Sequence, residues 1–318
     1  MGKVIRYTLL SIATVVLLLF AAPVLLPSDV LKDLVEEHAS RTSGMAVSVG
    51  GVSLRLFPVV ELRAVNIVAG EGEGAVSEMH AESGAVLLAL LPLIRGSLEL
   101  SGFELIGIEM KFPKRAGGAA KPVLHIDSVN GKVRISRDQV KLDEWQAILY
   151  DGEVKLDAVV SPAERGQLSM VGRATLHTIQ LQPLILDVGA HQSLNGTLSA
   201  ELDISTEGRW PAAIQNGLKA DGPVRIRSGQ LMLGGLTIGY DLIRFSLQAR
   251  GVDQHLNNLE IFSPLINAAG DVSVVSNRNL HGTIRTAGLL SGEMLVGGTI
   301  DHPQLTPVAV PQASSAGD

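Results

Sequence analysis

The chain has 318 residues, enough for about two domains or one long β structure. It is 46% hydrophobic but only 3% aromatic, so Leu, Val, Ile and Ala must supply its core. A formal net charge of −6 excludes the basic face that a nucleic-acid partner needs, and the lack of any cysteine excludes disulfides, thiolate nucleophiles and Cys-ligated metals.

The first element is an apolar run from Val4 to Leu26, with Arg6 as its only charge. As a helix it would be roughly 35 Å long at ~1.5 Å per residue, enough to span a bilayer core of ~30 Å. The run outlasts the apolar centre of a usual cleaved signal, and it resumes after Ala21-Ala22-Pro23. The reading is therefore an uncleaved single-pass anchor. Lys3 and Arg6 keep its start cytoplasmic, which places the bulk of the chain on the far side of the membrane.

From Ser28 the pattern is helical. Ser28 or Asp29 caps the start, Val30, Leu31, Leu34 and Val35 share a face, and Gly44 ends it. From Met45 the period drops to two. Val47 and Val49, Leu98 and Leu100, Phe103 and Leu105, then Ile108 and Met110 alternate with polar or small residues. Phase slips near Gly102 and Gly107 predict bulges or tight turns. The alternation returns at Leu198, Leu202 and Ile204, at Val224 and Ile226, and at Ile243, Phe245 and Leu247. Asn130-Gly131, Asp151-Gly152, Asn195-Gly196 and Asp221-Gly222 have the composition of hairpin turns. Short connections exclude crossover helices, so the strands form an antiparallel meander.

Three helical breaks are expected at Val86–Ile94, Leu181–Val188 and Trp210–Leu218. The Gly/Ala-rich stretch Lys114–Lys121 reads as a linker. These readings divide the chain into an anchor (1–27), a helix plus sheet (28–113), a linker (114–122), a β-rich domain (123–305) and a disordered tail (306–318).

Chemistry is sparse. None of the eight histidines lies within five residues of another, so there is no local metal motif. No Gly-x-Ser-x-Gly elbow, phosphate-binding loop or dinucleotide fingerprint occurs. The expectation is a protein without cofactor or metal, and not an enzyme.

Several segments carry a resemblance. They are GGVSLRLFPVVELRAVNI (Gly50–Ile67), LLALLPLIRGSLELSGFELIGIEM (Leu87–Met110), LYDGEVKLDAVV (Leu149–Val160), the Gly-Arg-Trp-Pro region within Leu194–Leu231, and the ending VGGTIDHPQLTP (Val296–Pro307). In this order they resemble the AsmA family of bacterial envelope proteins. The chain is also similar to the N component of type II secretion systems. The first resemblance implies a mainly β fold: an N-terminal transmembrane helix, then a long curved antiparallel sheet with a few short helices, open as an apolar groove of the bridge-like lipid-transfer type. It implies an inner-membrane anchor with the N-terminus cytoplasmic and the bulk of the chain in the periplasm, phospholipid or another acyl lipid as ligand, and a role in outer-membrane assembly or homeostasis. The groove would be lined by Leu98, Leu100, Phe103, Leu105, Ile108, Met110, Leu198, Leu202, Ile204, Val224, Ile226, Ile243, Phe245 and Leu247. The second implies a structural or assembly component of a secretion or pilus system, with protein partners added at the sheet edges.

Overall fold

The computed structural model describes residues 28–43, 45–55, 60–70, 78–88, 100–112, 122–135, 139–163, 167–187, 194–208, 217–233, 236–251, 253–275, 279–289, 291–299 and 302–308. The expected anchor lies outside these residues. No described helix is long and apolar enough to cross a membrane.

Helix α1 (Ser28–Ser43) comes first, followed by strands β1 (Ala46–Arg55), β2 (Val60–Gly70), β3 (Glu78–Leu88), β4 (Leu100–Lys111), β5 (Val123–Ile135), β6 (Val140–Leu149), β7 (Gly152–Pro162) and β8 (Leu168–Gln180). Helix α2 (Leu181–Asp187) then precedes β9 (Thr197–Gly208), β10 (Lys219–Leu233), β11 (Leu236–Arg250), β12 (Asp253–Phe262), β13 (Ile266–Val275), β14 (Asn279–Gly288), β15 (Gly292–Thr299) and β16 (His302–Pro307). The strands follow one another in chain order through an open sheet, the meander expected from the short connections.

Two compact units emerge. One contains Met1–Leu149 and Val154–Pro162, the other Tyr150–Glu153 and Ala163–Asp318. The linker expected at 114–122 falls inside the first unit. The strands on either side of it pair directly, with Lys111 opposite Val123 and the Phe112 N–H donating to Pro122 O at 2.9 Å. Thr306 and Pro307, expected in the tail, belong to β16 and pair with Leu295 and Met294, and residues 309–318 lie outside the described residues.

Several local expectations need correcting. Asn130-Gly131 is not a turn: both residues lie within β5, opposite Glu104 and Phe103. Asp221-Gly222 lies within β10 and Asn195-Gly196 precedes β9. The turn expected at Asp151-Gly152 falls one residue earlier, at Tyr150-Asp151, with φ of 49° and 57°, and Gly152 already begins β7. Val86–Leu88 continue β3, since Val86 pairs with both Leu62 and Phe103. The rest of that expected helix, and most of Trp210–Leu218, lie outside the described residues. The helix expected at Leu181–Val188 is α2.

A crease recurs through the strands. In the first unit Asn66 on β2, Gly107 on β4 and Glu144 on β6 have φ of 50°, 61° and 54°; in the second, Thr178 on β8, Ser228 on β10 and Asn258 on β12 have 54°, 51° and 53°. A left-handed residue turns its N–H out of the ladder and shifts the inward phase by one. Leu105 and Ile108 can therefore face the same side. The displaced N–H finds an acceptor on the next strand: Glu144 donates to Asp157 Oδ1 at 3.1 Å, Thr178 to Ser199 Oγ at 3.3 Å, and Asn258 to Asp271 Oδ1 at 2.8 Å. By register Asn66 faces Glu82, Gly107 faces Asp127 and Ser228 faces Asp241. The slip near Gly102 is a separate bulge, where the β3–β4 register shifts between Leu87 and Leu88.

Both terminal strands are protected. On β1 the N–H groups of Val47 and Val49 donate to Ser40 Oγ (2.9 Å) and Glu36 Oε1 (2.7 Å) of α1, so the helix occupies that edge. On β16 the Val308 N–H donates to Glu293 O at 2.9 Å. Even-numbered residues there thus aim at β15, and Pro303, Leu305 and Pro307 aim outward. Two of those three have no N–H to offer.

Candidate ligand-binding face

The first unit builds its apolar face from rows that cross five strands. Val47, Ala69, Met79, Met110 and Leu124 form one row; Val49, Ile67, Ala81, Ile108 and Ile126 form the next. Beyond the crease come Val52, Ala64, Gly84, Leu105 and Val129, then Leu54, Leu62, Val86, Phe103 and Gly131. Phe103, Leu105, Ile108 and Met110 therefore lie together, as expected, with Ile108 buried and the others half-buried. Leu98 lies outside the described residues, and Leu100 is placed in β4 opposite Leu88. The alternation marks Val47 and Val49 of β1, but the expected groove lining includes no residue of β1 to β3 and not Trp145.

Trp145 shapes this face. Its ring sits 4.7 Å from Phe103, tilted by 53°. A Cβ at Gly131 would meet Trp145 Cδ1 at 2.5 Å, so the indole can lie across the strand only because residue 131 is glycine. The Trp145 Nε1 is the one buried side-chain polar atom without a hydrogen-bond partner among the described residues.

The second unit has a matching face. Leu198, Ile226, Ile243, Ile261 and Ala268 run across β9 to β13 in register. Val224, Ile226 and Ile243 are buried, and Leu198, Leu202, Phe245 and Leu247 pack around them. Ile204 is half-buried opposite Ala220. Helix α2 was not expected at this site. Its Leu181, Leu184 and Ile185 pack into the same cluster, covering part of the floor that Leu198 and Ile226 form. The periodicity of β9 to β11 gives no sign of this, because the covering residues come from a seven-residue helix outside those strands.

The opposite surface of each unit carries ion pairs. Lys132 pairs with Glu144, Arg173 with Asp203 and Arg244 with Glu260. Asp143 is held between Lys141 and Arg134, and the Lys141 hydrogen bond followed by the Arg134 contact lowers its pKa. The face toward Phe103 and the face toward these ion pairs thus differ in chemistry. Among the described residues, the main contacts between elements join strands adjacent in the sheet, or join α1 to β1. All sixteen described strands belong to one sheet, so among the described residues no second sheet lies on the apolar face of either unit. Nor does any described group of three His, Asp or Glu stand close enough to hold a metal ion.

No protein-family model, curated protein or solved structure matches the chain.

Proposed function

We propose that this protein is tethered to the inner membrane by Val4–Leu26 and binds phospholipid, or another acyl lipid, along the apolar faces of its β units, supporting outer-membrane assembly or homeostasis. The observation that carries this reading is the aliphatic sheet face in each unit, on which no second sheet lies among the described residues. A 16-carbon acyl chain must recover roughly 12 kcal/mol of burial, at ~0.8 kcal/mol per CH₂, to leave a bilayer. A lining of Leu, Val, Ile, Ala and Met can provide that contact with no charge to desolvate.

The alternative, a secretion or pilus assembly component recruited by sheet-edge pairing, has less support. Glu36 and Ser40 already occupy β1, and Pro303 and Pro307 blunt β16.

The test uses Trp145 as the reporter. A Trp210→Phe variant leaves it as the only tryptophan. In vesicles of phosphatidylethanolamine with brominated chains its fluorescence should be quenched, relative to unbrominated vesicles. A single indole introduced by Ile106→Trp on the opposite face, with both native tryptophans replaced by Phe, should not be quenched. Equal emission from Trp145 in both kinds of vesicle would refute the reading.

A further inference from the structure

We propose that the β12–β13 and β14–β15 hairpin tips of the second unit form a rim that inserts into a lipid leaflet. This goes beyond the lipid-bearing face, since the rim could insert whether or not that face holds lipid.

Two large apolar side chains stand exposed there, Leu265 at 52% and Leu289 at 72%, next to Phe262 at the end of β12, whose ring lies 5.3 Å from the Arg244 guanidinium. The two tips are direct neighbours, because the Leu289 N–H donates to Leu265 O at 3.1 Å and Ile266 pairs with Gly288. Neither tip carries a charge: 262–267 reads Phe-Ser-Pro-Leu-Ile-Asn and 287–292 reads Ala-Gly-Leu-Leu-Ser-Gly. The connections at the other end of the same strands all do, with Arg250 and Asp253, Arg278, and Asp301.

The tip backbone points to the occupant. A loop in water can leave its peptide groups to solvent, but a loop entering hydrocarbon must bring its own partners. Here the side chains supply them. Leu265 N–H donates to Ser263 Oγ (3.3 Å), and Ser263 Oγ donates to Gly239 O (2.6 Å). Asn267 Oδ1 accepts from Ser263 N–H (3.3 Å). In the next tip Ser291 Oγ donates to Gly288 O (3.0 Å), and Thr286 Oγ1 donates to Gly292 O (3.2 Å). A protein partner would call for a continuous apolar core ringed by polar groups. These are single side chains projecting from adjacent, self-bonded turns, on a chain that also carries a run of bilayer length. With no lysine or arginine in either tip, the attachment relies on apolar contact and needs no anionic lipid.

The absence of cysteine makes the test direct. Full-length Leu265→Cys, Leu289→Cys and, as a control at the opposite end, Arg250→Cys are each labelled with an environment-sensitive nitrobenzoxadiazole dye and reconstituted into phosphatidylcholine vesicles. At 265 and 289 the emission should shift to the blue and be quenched by brominated chains, equally at low and high salt. The label at 250 should keep its aqueous emission. Aqueous emission at 265 or 289, a signal at 250 equal to theirs, or a signal lost with added salt would each overturn the proposal.

Discussion

The Asn258 N–H on β12 donates to Asp271 Oδ1 on β13 at 2.8 Å, and Asn258 has φ of 53°. The two residues form one crease unit: the left-handed residue turns its N–H out of the ladder and the carboxylate takes it. Asp271→Ala removes the acceptor and should lower stability by about 1 kcal/mol, while Asp271→Asn keeps an oxygen and should cost less. Asn258→Val forces a β-branched residue into the left-handed region and should cost about 1–2 kcal/mol. Asn258→Gly should be nearly neutral. Denaturant unfolding of the full-length protein in detergent checks the ranking.

Tyr240 predicts an alkaline weakness. Its hydroxyl donates to Asn195 O, and burial pushes its pKa from 10.0 up to about 12. In the unfolded chain the phenol ionises near its ordinary value, while in the folded protein it stays neutral. The stability it contributes is therefore intact below pH 10.0 and is lost as the pH rises toward about 12. Tyr240→Phe should cost about 1 kcal/mol at neutral pH, because the Asn195 carbonyl loses its partner, and should flatten the alkaline limb. Unfolding followed from neutral to alkaline pH reads both effects.

At the acid end the group to watch is Asp143. Its carboxyl is held below the ordinary value of 3.8, first by Lys141 and then by Arg134. A depressed folded pKa contributes stability above the unfolded value, and that stability is lost as the pH falls through the folded one. Lys141→Met should raise the Asp143 pKa and move this loss to higher pH. A carboxyl titration followed by NMR would show it, and an unchanged midpoint would remove Lys141 as the main cause.

The strands were legible because Leu, Val and Ile recur at period two, and the Gly107 crease because glycine marks it. The other crease positions were not. Asn66, Glu144, Thr178, Ser228 and Asn258 span four residue types, and their spacing changes with each connection. Asn130-Gly131 misled for a physical reason. The glycine there makes room for the Trp145 indole across a strand and takes no part in a turn. The apolar Val86–Leu88 looks the same as a buried helix or a strand end, and only its partners Leu62 and Phe103 decide. The covering role of α2 was hidden because its contacts are long-range.

Met110 and Ile106 lie on the same strand and test whether the two faces differ in function. Met110 sits in the apolar row with Met79 and Leu124, whereas Ile106 is 38% exposed on the other side, opposite Ser83 and Ser128. Met110→Glu places an unpaired carboxylate among aliphatic side chains, a cost of several kcal/mol for any acyl ligand that must lie against it. Lipid carried through purification, measured by mass spectrometry, should fall by about tenfold or more. Ile106→Glu should leave the lipid content unchanged. If both variants lose lipid equally, binding does not follow the apolar face.

The edge strands make the last prediction. Pro303 and Pro307 sit at the outward-facing positions of β16, where they remove two of three N–H groups that an incoming strand would bond. Replacing both with Thr restores those donors and a β-branched surface without touching the side that pairs with β15. An unpaired edge of this kind recruits another strand. The double variant should therefore self-associate as its concentration rises, seen as a growing dimer in sedimentation runs with matched detergent, while the parent protein stays unchanged. At the other edge, Glu36→Ala with Ser40→Ala frees the Val47 and Val49 N–H groups and should have the same effect. Association of the helix variant but not the proline variant would mean that β16 is guarded by something other than its prolines. Association of neither would mean that edge pairing is not what these residues prevent.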